Sequence, residues 1–214
     1  PSCVPATEFE TSGESITSTD VDELFENPKF THLSEMMNFP GVLYKDAEVW
    51  KKIEIAKKFR KPIDGHAPLL SGQDLKKYVD AGISTDHECT STEEAIEKIK
   101  LGMKIMLRNS SASKDFDVLH SLIKTNPDDV MLCTDDCHPD ELVRGYIDNL
   151  VRFAIAQGYS ISNCVKASTF NAVRHYKLPV GLLQEGDAAD FIVVNNFNDF
   201  QILSTYIDGV EVWD

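Results

Sequence analysis

The feature that most limits how this chain can fold is a repeated alternation of short apolar runs with longer amphipathic stretches. KPIDGHAP, GISTDHEC, MKIMLRNS and DVMLCTDDCHP each read as a strand emptying into a loop. Each is followed by a segment of helical periodicity: SGQDLKKYVDA, TSTEEAIEKIKLG, KDFDVLHSLIKTNP and DELVRGYIDNLVRFAIAQG, the last closed by Gly158. Upstream, the extended segment FTHLSEMMNFPGV runs into a Pro-Gly turn. It precedes DAEVWKKIEIAKKF, which places Val49, Ile53, Ala56 and Phe59 on one side of a helix. Asp20 is a candidate cap for a short helix over VDELFEN, and Ser71 for the helix that follows it. Ser91 with Glu94 three residues on reads as a capping box. A last helix spans SISNCVKASTFNAVRHY. Strand and helix alternating in this way describe βα units on a parallel sheet, whose strands are buried on both faces and so read as unbroken apolar runs. After Pro179 the pattern changes to β-branched runs and Asp-Gly-type turns, as expected of an antiparallel layer or small domain. The expected division is therefore 1–178 and 179–214.

Parallel sheets carry their sites in the loops after the carboxyl ends of the strands. Here Glu35 ends FTHLSE, His66 ends KPIDGH, His87 ends GISTDH, and the Asp135-Asp136 pair ends DVMLCTD. The spacings are 31, 21 and 48 residues, one βα unit for each of the first two and two units for the last. Such regularity puts the four groups on one rim. Imidazole and carboxylate together suit a borderline divalent ion such as zinc, iron, manganese or cobalt, which acidifies water and polarises the group attacked. His138, in the same loop as Asp135 and Asp136, could face a substrate or stabilise that loop. His120 and His175 fall within helices and read as surface or packing residues. His32 lies three residues from Glu35 on an extended segment, so the two point to opposite faces. Met36 and Met37 read as packing, and the glycines of MNFPGV and KPIDGH as turn formers.

Other chemistries find little support. GxGxxG, GxxxxGKS and GxSxG are absent, and Cys89 near His87 is the one hint of a nucleophile. Five cysteines without a second pair to complement Cys133 and Cys137 make no zinc cage and point to a reducing compartment. The formal charge of -14 opposes binding to nucleic acid or anionic lipid. No apolar run approaches the roughly 20 residues of a membrane span, and a cytoplasmic location is expected.

LSEMMNFPGV, PIDGHAPLLSG, AGISTDHECT and CTDDCHPDEL resemble the signature segments of adenine deaminases in the metal-dependent amidohydrolase superfamily. VGLLQEGDAADFIVVNN resembles that superfamily's exit from its barrel into a small β domain. The resemblance implies a (β/α)8 TIM-like barrel with a binuclear metal centre (manganese, iron or zinc) and hydrolytic deamination of adenine to hypoxanthine and ammonia. It implies that Glu35 bridges the two ions, that His66 and His87 bind one of them, and that Asp135 binds the other and handles the proton of the attacking water. Asp136 is the alternative to Asp135, and Glu88 is a candidate to contact the purine or relay a proton.

One departure qualifies this. The family's His-x-His motif occurs nowhere in these residues. On the family template the chain holds about strands three to eight of an incomplete barrel, 1–178, and part of a β-sandwich, 179–214. The opening PSCVPATEF then reads as the end of a strand, and both ends look cut. A chain of this kind is expected to be inactive by itself and to cover its open sheet edges as a homo-oligomer, with another chain, or with its own loops. The competing readings are an amidohydrolase acting on another small cyclic substrate and a non-enzymatic metal-binding α/β module.

Overall fold

The computed structural model describes residues 4–7 and 9–213. They form two compact units, Pro1–Met106 and Leu107–Asp214.

The first unit contains helix α1 (Ser18–Phe25), strand β1 (Leu33–Met36), α2 (Phe39–Leu43), α3 (Ala47–Lys58), β2 (Ile63–Gly65), α4 (Gly72–Asp80), β3 (Thr85–Asp86), α5 (Thr92–Lys100) and the start of β4 (Lys104–Arg108). β1 and β2 pair in parallel, with Leu33 opposite Ile63 and Met36 opposite Gly65. β3 and β4 pair in parallel, with Thr85 opposite Lys104. Between these pairs, the Ser84 N–H donates to the Ile63 carbonyl at 2.8 Å. The apolar residues of the strands meet those of the helices in one core that includes Val21, Leu33, Met36, Ile53, Ile63 and Leu75. Burying each such side chain contributes about 1.5–3 kcal/mol.

The second unit takes in the end of β4, then α6 (Phe116–Leu119), α7 (Leu122–Thr125), β5 (Val130–Cys133), α8 (Pro139–Leu142), α9 (Ile147–Ala156), α10 (Ile161–Val165), a π-helical segment Lys166–Phe170, and α11 (Asn171–Tyr176). β5 neighbours β4, and α9 and α11 pack on β5. Three strands close the chain as an antiparallel sheet in the order β6 (Phe191–Val194), β7 (Ile202–Ile207), β8 (Val210–Trp213). Parallel βα units with an appended antiparallel sheet are the parts of an incomplete (β/α)8 barrel and an extra β element.

Several local expectations change. Residues 1–3 of the expected opening strand lie outside the described residues, and 4–7 form bends. The cap of α1 is Thr17, one helical turn before Asp20. Asp20 instead occupies the third helical position and accepts from the Thr17 backbone N–H at 2.7 Å. MNFPGV winds into α2 because Asn38 caps it by accepting from the Gly41 N–H at 2.9 Å. Ser71 sits at the N-cap of α4 without a side-chain bond to it. Two expected helices are divided, the first into α6 and α7 and the second into α8 and α9. Gly145, at φ 135°, breaks the second because few other residues adopt that backbone.

Candidate metal centre

The short strands of the first unit aim three side chains at one point. Glu35 lies on β1, His66 directly follows β2, and His87 directly follows β3. Glu35 Oε2 is 2.9 Å from His87 Nε2 and 3.6 Å from His66 Nδ1. One ligand atom from each of the three lies within 4.8 Å of the others. Glu88 adds a second carboxylate, its Oε1 at 3.4 Å from His87 Nε2 and 3.6 Å from His66 Nδ1.

Backbone contacts between neighbouring strands set this convergence. Gly65 ends β2 and is no turn former. A Cβ there would lie 2.3 Å from the Thr85 carbonyl oxygen, so only glycine admits β3 at this spacing. The Gly65 N–H donates to Thr85 Oγ1 at 3.3 Å, and that hydroxyl donates to buried Asp64 at 2.7 Å. His32 faces Asp64, with Nε2 3.4 Å from its carboxylate. Tyr78 of α4 is fully buried, donates to the Met36 carbonyl at 2.9 Å and accepts from the His66 N–H at 3.1 Å. Its hydroxyl thus ties the end of β1 to the residue after β2. Asp86 accepts from the Glu88 N–H at 2.7 Å, turning the chain immediately after His87.

The electrostatics follow from this crowding. His66 and His87 hold the Glu35 carboxyl far below the usual carboxylate range despite its partial burial. Burial opposes charge on His87, but Glu35, Glu88 and Asp86 outweigh it and raise its pKa. Burial drives the Cys89 thiol upward, which works against a nucleophilic role.

The remaining site candidates lie in the second unit. Asp135 adopts a left-handed backbone, φ 53°, which aspartate tolerates better than most residues. Its carboxylate accepts from Arg108 Nη1 at 3.1 Å, while the Arg108 Nε and Nη2 hold Asp115 at 2.9 and 2.6 Å. Asp136 is exposed, and its carbonyl accepts from the Ser111 N–H at 2.9 Å. His138 is also exposed. Its N–H donates to Ser111 Oγ at 2.8 Å, and its carbonyl opens α8. Arg108 is a cation at the end of β4, which gives it a local signal, whereas Tyr78 comes from a helix face and carries none.

Glu35, His66 and His87 suit a divalent cation by their chemistry. Among the described residues the buried His66 Nδ1 has no hydrogen-bond partner while facing two carboxylates, a costly arrangement unless a cation occupies the gap. Strand-end histidines and a carboxylate on parallel βα units form a cluster able to hold a metal ion.

A model of the amidohydrolase family matches residues 1–212, and the chain belongs to that family. It is 54% identical over 215 residues to the adenine deaminase of Methanosarcina mazei, covering 100% of this chain and 39% of that protein. With the adenine deaminase of Parabacteroides distasonis it is 50% identical over 214 residues, again covering 100% of this chain and 39% of the relative. The chain thus spans about two fifths of the length of these relatives. Among solved structures, N-acetyl-D-glucosamine-6-phosphate deacetylase of Mycobacterium smegmatis superposes with a TM-score of 0.68 at 13% identity, covering 96% of this chain and 63% of that one. The β-aspartyl dipeptidase of Fervidobacterium islandicum gives 0.59 at 18% identity, covering 78% and 53%. These two show the fold.

Proposed function

We propose that this chain carries part of the active site of a metal-dependent adenine deaminase, which converts adenine to hypoxanthine and ammonia with water. The observation that carries the reading is the convergence of Glu35, His66 and His87 in a chain about half identical to adenine deaminases over its whole length. Glu35, His66 and His87 would hold a divalent ion, and Glu35 would also serve a second one. Asp135 is the ligand and proton carrier contributed by the loop after β5, with Asp136 the alternative. A bound divalent ion supplies Lewis acidity and acidifies water. Glu88 is partly shielded and close to both imidazoles, suited to hold a proton or to accept from a purine N–H. The exposure of His138 beside Asp135 and Asp136 supports a role in contacting substrate. The partner is a small neutral base, the setting the cytoplasm, and the assembly a homo-oligomer. Residues 1–178 form the hydrolase part and 179–214 a portion of a β domain.

The test is ammonia release from adenine by the full-length protein loaded with manganese, iron or zinc. Stoichiometric hypoxanthine is expected. A metal-loaded protein that leaves adenine intact, or that opens a cyclic amide instead, overturns the assignment.

A further inference from the structure

We infer that Lys98 is a positioning residue for the metal centre, fixing the loop that carries His66 relative to the loop that carries His87. The inference rests on the proposed ligand role of Glu35, His66 and His87. Lys98 lies on α5 and its side chain is fully buried. An ammonium has three N–H bonds, and a carbonyl and two carboxylates surround it here. Nζ donates to the carbonyl of Ala67 at 2.8 Å and to Glu94 Oε1 at 2.6 Å, and lies 2.8 Å from Asp86 Oδ2 as an ion pair.

Two of these groups adjoin the proposed ligands. Ala67 follows His66, and Asp86 precedes His87. The third extends the clamp, because Glu94 also accepts from the Leu69 N–H at 2.8 Å and the Thr90 N–H at 3.2 Å. This is why Glu94 completes only half of the expected capping box. Ser91 Oγ accepts from its N–H, but its carboxylate reaches the two loops instead of the Ser91 N–H. A buried charge pair is often no more stabilising than apolar residues of the same size. A fully buried lysine at this position is therefore better explained by the geometry it imposes than by stability.

Full-length protein is compared with Lys98→Met, Lys98→Met/Asp86→Asn, Glu35→Gln and Ile53→Ala. Thermal melts, Co²⁺ affinity by chelator competition and the Co²⁺ visible spectrum are recorded for each. The double variant removes the Lys98 and Asp86 charges while keeping an acceptor for the Glu88 N–H, and Glu94 retains its Leu69 and Thr90 N–H donors, so it decides the matter if Lys98→Met does not fold. Ile53→Ala loosens the core of the same unit without touching either loop. The expected result is at least a tenfold loss of Co²⁺ affinity and an altered spectrum in the lysine variants, with both unchanged in Ile53→Ala at a comparable melting temperature. A folded double variant with the affinity and spectrum of the unaltered protein overturns the inference. If Glu35→Gln also leaves Co²⁺ binding intact, the metal reading itself has failed. If Glu35→Gln abolishes binding while the double variant does not, only the role of Lys98 has failed.

Discussion

At the scale of single residues, the strand-end geometry depends on groups with no catalytic chemistry of their own. Gly65 is the sharpest case. Alanine there would drive its Cβ into the Thr85 backbone, a clash that no side-chain rotation relieves. Gly65→Ala should lose about 1–3 kcal/mol of stability in chemical denaturation, as overpacked cores do. Tyr78→Phe keeps the ring but leaves the buried Met36 carbonyl and the His66 N–H without the hydroxyl that joins them. A loss of about 1–3 kcal/mol is expected from the same measurement. The acidic and imidazole candidates were legible from their spacing because each lies at or just after the end of a short strand. The contacts of Tyr78, Lys98 and Arg108 were not, since each has a partner at least 27 residues away along the chain.

At the scale of elements, a helix can end where its backbone conformation requires it although its apolar pattern continues. The break between α8 and α9 illustrates this, since apolar periodicity runs through DELVRGYIDNLVRF and only Gly145 marks the interruption. Asp148 restarts the helix. It accepts from the Tyr146 N–H at 2.9 Å and pairs with Arg152 at 2.7 Å. Burial works against its charge, yet these two partners draw its pKa below the ordinary aspartate range. A pKa lowered by folding gives stability that is present above the unfolded value of about 3.9 and is lost as pH falls through the folded one. Asp148→Asn should therefore cost about 1 kcal/mol near neutral pH. In paired melts the difference should shrink steadily once the pH drops below about 4.

At the scale of the whole molecule, a metal held as proposed by Glu35 on β1 and the histidines after β2 and β3 would bind the folded protein and not the unfolded chain. With free metal at about 100 times its dissociation constant, stability should rise by roughly 2.7 kcal/mol. The melting temperature of the full-length protein should climb on adding metal and fall on chelation, and Glu35→Gln should abolish this response. By itself the sequence determined the βα order and the antiparallel tail, and it pointed to Glu35, His66 and His87 as candidates, because periodicity and strand-end position are local properties of a chain. It could not show how closely β2 approaches β3, where the carboxylate of Glu94 goes, or why a lysine is buried beneath two loops. Those outcomes were decided by tertiary structure, because burial forces each polar group to find partners among whatever residues the fold brings beside it.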